Sequence, residues 1–180
     1  LANELAVNMA LGGFKVVVVP LEMSQDEMLG RISAKVCGVD STRIITKQLA
    51  TGEKKMVQEK METFMKKVNK RGGCLTIIKP SGDISIEETY AALNSIEADV
   101  TIVDYISLLA GVDGDEAWQK LGAIARTAKV NAEATQRVNV LLTQVNDDGS
   151  IRYARSISEH SNNSWIWVTP LEERSKQVGV

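Results

Sequence analysis

Lys15-Val-Val-Val-Val-Pro20 is an unbroken apolar run of strand length, with four consecutive β-branched residues behind a single lysine. A strand that shows no polar alternation is buried on both faces, which predicts a parallel sheet covered by helices on either side. The flanks agree. Upstream, Leu1 to Leu11 reads as a helix with Leu1, Leu5 and Met9 on one face, stopped by Gly12-Gly13. Downstream, Leu21-Glu22-Met23 leaves the strand, and Ser24 is placed to cap a helix running to about Val36, with Glu27 at the capping-box position. Residues 40–47 read as a loop with a short helix. Val57, Met61, Phe64, Met65 and Val68 recur at helical spacing within 52–69, and Gly72-Gly73 ends that segment.

The alternation continues. Leu75 to Lys79 reads as a second strand, Pro80 to Asp83 as a turn, Ile86 to Ile96 as a helix and Val100 to Asp104 as a third strand. A polar, glycine-containing loop over Gly111 to Asp115 leads into an amphipathic helix bearing Trp118, Leu121, Ile124, Ala128 and Ala132. Val138 to Thr143 is a fourth strand, residues 146–156 a polar loop, and Trp165 to Val168 a fifth strand in which one tryptophan faces the core. Strands alternating with helices define an α/β fold with a mainly parallel sheet.

The 180 residues are 44% hydrophobic and 24% charged, an ordinary globular balance that excludes disordered and disulfide-framework classes. No apolar run reaches the ~18–20 residues of a membrane helix, so no membrane partner is expected. Cys37 and Cys74 have no CxxC spacing and read as small core residues. The net charge of −2 conceals an uneven distribution: Lys47 to Arg71 carries +5, and Asp83 to Glu116 carries −9. A solvated basic helix beside an acidic stretch accounts for this, as does a polyanion-facing side.

In parallel sheets ligands bind at the carboxyl ends of the strands. That directs attention to Glu22, Lys79, Asp104 and Gln144. Asp104 can hold Mg²⁺ beside a nucleotide phosphate, or cap the next loop. Glu22 can polarise an attacking water, or begin a surface loop. Gln144 can hydrogen-bond a phosphate or that water, or satisfy a local backbone group. Three such residues at three strand ends form a constellation. His160 is the sole histidine, which leaves no basis for a His-based triad or metal cluster. The lysines of 52–70 read as a solvated face.

Three segments, in order, resemble DnaB-type replicative helicases. Pro20-Leu-Glu-Met-Ser24 with Arg31 is similar to the family's "LEMS…R" segment, Thr101-Ile-Val-Asp-Tyr-Ile-Ser-Leu-Leu109 to its Walker B strand, and Leu142-Thr-Gln-Val-Asn146 to its "LSQLN" motif. The resemblance spans about residues 1–168. It implies a RecA-like P-loop NTPase core working in the cytoplasm of a bacterial or phage-infected cell, with ATP and Mg²⁺ as cofactors. It implies assembly as a homo-hexamer around single-stranded DNA, with primase or a helicase loader as further partners. By this resemblance Glu22 is the general base, Asp104 the Walker B aspartate on Mg²⁺, Gln144 the link between γ-phosphate and DNA loops, and Arg31 a residue near the nucleotide. Arg152 and Arg155, in the loop after Gln144, would touch DNA phosphates without reading sequence.

The chain departs from the family pattern in three places. No Gly-x-x-x-x-Gly-Lys-[Ser/Thr] occurs in it. In the family that motif immediately precedes the helix matching Leu1 to Leu11, so it is expected just upstream of Leu1. Asp147-Asp148 stand where the family often has arginine, and Arg174 and Lys176 do not match its arginine finger. The expectation is a single RecA-like domain over 1–180, incomplete at both ends and inactive without the phosphate loop. A non-helicase RecA-fold ATPase (recombinase or clock-type) and a P-loop-less binding or assembly module are the alternatives.

Overall fold

The computed structural model describes residues 1–109, 117–144 and 154–165, with the side chains of residues 117, 154 and 155 outside the described set. Four parallel strands form one sheet in the order β2-β1-β3-β4. They are β1 (Lys15–Pro20), β2 (Cys74–Ile77), β3 (Val100–Asp104) and β4 (Val138–Leu141). The helices are α1 (Ala2–Leu11), α2 (Gln25–Cys37), α3 (Ser41–Ile45), α4 (Thr51–Lys70), α5 (Ile86–Leu93), α6 (Ala117–Thr135) and α7 (Ala154–Ser158).

The valine run of β1 behaves as its composition requires. Val16 and Val18 pack on one face with Ala6, Ala10, Met28, Ile32, Phe64 and Val68, from α1, α2 and α4. Val17 and Val19 pack on the other with Ile86, Tyr90, Leu93, Leu121 and Ile124, from α5 and α6. Successive strand side chains point to opposite faces. A strand with a helical layer on each side therefore needs an apolar residue at every position. β3 follows with one exception: Val100 and Ile102 lie in the first core and Val103 in the second, while buried Thr101 satisfies its hydroxyl by donating to Asn139 Oδ1.

Local signals set the helix ends. At α2, the Ser24 hydroxyl accepts from Glu27 N at 3.2 Å, while the Glu27 carboxylate accepts from Ser24 N at 2.9 Å. Ser85 and Glu88 repeat this at α5. Gly38 closes α2 in a left-handed conformation with φ 67°.

Several expectations are corrected. Cys74 is exposed, because it opens an edge strand, whereas Cys37 is buried. Trp118 is 47% exposed, lying in the first turn of α6 before that helix settles on the sheet through Leu121. Trp165 lies outside any strand and is 85% exposed, so it is not the core-facing member of a fifth strand. The rest of that segment, from 166, lies outside the described residues, as do the loop at Gly111 to Asp115 and most of 146–156. The end of the latter is α7 rather than loop.

Candidate functional site

The strand order reverses beside β1. The chain passes from β1 to its neighbour β2, then crosses back to place β3 on the other side of β1. In open parallel sheets the carboxyl ends at such a switch point leave a crevice between diverging connections. The register pairs Pro20 with Asp104 across it, the last residues of β1 and β3. Glu22 follows Pro20 by two residues and is exposed.

The loop carrying Glu22 is tied to both neighbouring strands. Leu21 N donates to Asp104 O at 2.7 Å. On the other side the Lys79 ammonium donates to Leu21 O. Gln25 Nε2 donates to Ile77 O at 3.1 Å, joining the start of α2 to β2.

The third strand end joins from β4. Leu142 N donates to Val103 O at 3.0 Å, and Ile106 N donates to Leu142 O at 2.9 Å. The hydroxyls of Ser107 and Thr143 lie 3.3 Å apart. Gln144 follows directly and is exposed. Glu22, Asp104 and Gln144 thus stand at the carboxyl ends of three adjacent strands, as their positions in the sequence led one to expect. The Asp104–Tyr105 peptide bond is cis.

Charge couples these groups. Burial raises the Asp104 carboxyl above its ordinary range; Glu22 adds to the rise and the Arg31 guanidinium opposes it. Glu22 and Arg31 therefore both lie within electrostatic reach of Asp104. Arg31 is exposed on α2 and also lowers the Glu27 carboxyl, behind the larger effect of the Ser24 hydrogen bonds. Arg152 lies outside the described residues. Arg155 falls in α7 with its side chain outside them, so the two arginines are not brought to the site by anything described.

Mg²⁺ takes one or two carboxylates, with phosphate oxygens and water completing its octahedron. The donors here fit that habit. Asp104 is a half-buried carboxylate with a second carboxylate's field upon it, a burden that a cation relieves. Among the described residues no three His, Cys, Asp or Glu gather into a metal cage.

Sequence reasoning marked Lys79 as a strand-end residue but gave it no role. Its partner is a main-chain carbonyl 58 residues away, which leaves no local pattern to read.

A four-stranded parallel sheet with helices on both faces is the layered α/β fold of RecA-like ATPase domains. Residues 1–156 match the family model of the DnaB-like helicase C terminal domain. The chain belongs to that family. No curated protein sequence matches it. Among solved structures it is similar to one described as an ATPase domain, with TM-score 0.69 and 14% identity, covering 89% of this chain and 61% of that one. It is also similar to a DnaB-like replicative helicase described together with its interactions with primase, with TM-score 0.61 and 16% identity, covering 79% and 35%. At such identities the likeness concerns the fold. The chain spans less than two thirds of either solved chain.

Proposed function

We propose that this domain is the motor of an ATP-dependent replicative DNA helicase, hydrolysing ATP at subunit interfaces and moving along single-stranded DNA. The observation that carries the proposal is the pairing of Pro20 with Asp104 at the switch point, with Glu22 two residues beyond Pro20 and near enough for its charge to act on Asp104. Family membership supplies the reaction class.

In this reading a water oxygen attacks the γ-phosphorus in line, ADP leaves, and Glu22 accepts the proton the water gives up. Asp104 would hold Mg²⁺, which neutralises phosphate charge. Arg31 would lie near the phosphates. Gln144, on the strand end beside Asp104, would report the state of the γ-phosphate to the segment that follows it, where Arg152 and Arg155 would meet the DNA backbone. A homo-hexameric ring, and primase or a loader as partners, belong to the same reading.

Glu22→Gln is the test. In the complete protein it should reduce ATP turnover at least ~100-fold, the scale of a lost general base, while leaving ATP affinity within about threefold. Wild-type turnover in this variant overturns the role given to Glu22. Unwinding of a forked duplex separates a helicase from a RecA-fold ATPase that only hydrolyses. A Gly-x-x-x-x-Gly-Lys-[Ser/Thr] encoded just before Leu1 separates both from a binding module.

A further inference from the structure

Glu22 is exposed, so its carboxylate is not packed into place. Its position depends on the backbone of the segment between β1 and α2. That backbone is held on both sides at a single residue: Leu21 donates its N–H to Asp104 O at 2.7 Å and accepts the Lys79 ammonium at its carbonyl. The first bond belongs to the extension of the sheet. The second is made by a side chain from the opposite neighbouring strand, two residues past the end of β2. A charged donor on a carbonyl makes a stronger bond than a neutral one. Gln25, bonded to Ile77 O at 3.1 Å, holds the other end of the segment to the same strand.

From this arrangement we infer that Lys79 is a positioning residue for ATP hydrolysis: by holding the Leu21 carbonyl, it sets where the Glu22 carboxylate stands relative to Asp104. The inference rests on the reading of Glu22 as general base. The physical reason for its importance is steep distance dependence. Displacing a reacting group by about 1 Å can cost about 100-fold in rate. An exposed glutamate two residues beyond its strand has no packing to resist such a displacement. Lys79 forms no part of the reacting set, and no bond to it is made or broken during turnover.

The experiment compares Lys79→Met, Lys79→Arg and Glu22→Gln in the complete protein, phosphate loop included. It uses steady-state ATP turnover together with amide hydrogen exchange over residues 21–23. Lys79→Met should lower kcat about 10- to 100-fold, with KM for ATP changed less than about twofold, and should speed exchange in the segment. Lys79→Arg, which keeps a charged donor, should restore most of kcat and slow the exchange again. Should Lys79→Met fail to fold, Lys79→Leu takes its place with the same expectations.

Unchanged kcat in Lys79→Met beside an inactive Glu22→Gln overturns the inference and leaves Glu22 as base. A raised KM at unchanged kcat also overturns it, because Lys79 would then act on substrate phosphates. An active Glu22→Gln overturns the base reading and with it the catalytic meaning of Lys79. The exchange rates, which need no turnover, would still show whether Lys79 holds the segment.

Discussion

The amide of Leu21 donates to the carbonyl of Asp104 at 2.7 Å, continuing the parallel ladder of β1 and β3 one residue beyond the end of β1. This bond splices the loop carrying Glu22 to the strand end carrying Asp104. A shift of either strand along the other would change the spacing of the two carboxylates, so the site depends on the register of the sheet as well as on the loop that carries Glu22.

Asp104→Asn separates function from stability at this point. The folded carboxyl titrates above its ordinary range, chiefly through burial. Its protonated form therefore favours folding at low pH, and that contribution is lost as pH rises through the raised value. At neutral pH the buried charge is a burden. The variant should melt at the same temperature as wild type or up to a few degrees higher at about pH 7, with the gain vanishing below about pH 4. It should lose ATP hydrolysis and any stabilisation by Mg²⁺ with nucleotide. A lower melting temperature throughout, with hydrolysis intact, contradicts both expectations.

Acid should weaken the domain at its helix caps. Glu27, Glu53 and Glu88 each accept the backbone N–H of the residue three positions earlier, at 2.9 Å in every case. Each carboxyl is lowered by that bond first. A lowered folded value means stability that is present above the unfolded value and lost as pH falls through the folded one. Melting temperature should decline from about pH 5 downward. Replacing the three by glutamine should flatten that decline. An undiminished slope in the triple variant would assign acid sensitivity to other groups.

Gly73→Ala should cost about 1–3 kcal/mol or more, the range for forcing extra volume into a packed interior. An added Cβ there would lie 2.4 Å from Ala10 O and 3.2 Å from both Gly13 Cα and Phe14 O, all of them backbone atoms. Gly52→Ala, where a Cβ meets open space within α4, is the control, and it should be neutral or stabilising. Denaturant melts of the two variants check this, and equal midpoints would refute the close approach.

Much of the domain was legible because its signals are local. The β-branched run at Val16 to Val19 demands two covered faces whatever lies around it. Ser24 with Glu27 marks the start of α2 within a few residues of chain. Glu22, Asp104 and Gln144 could be singled out because strand ends are visible in the pattern and their surroundings resemble a known set of motifs. Trp165 and Cys74 were misjudged, because their burial depends on whether a neighbouring strand or layer covers them. Apolar character states only that cover would be favourable. Gly73 looked like a helix stop, and its constraint is instead the carbonyl of Ala10, more than sixty residues earlier in the chain.

By itself the sequence determined the order of the four strands and of the helices between them, the two-faced burial of the central strands and the family to which the domain belongs. Those follow from periodicity, capping chemistry and motifs, which are contained in short windows of chain. Tertiary structure alone decided that β1 lies between β2 and β3, that Pro20 faces Asp104, and that Lys79 reaches the Leu21 carbonyl. Strand pairing and side-chain reach are chosen by competition among distant segments for backbone partners. Every apolar strand here could satisfy its hydrogen bonds with several others, so the outcome is set by the packing of the whole domain.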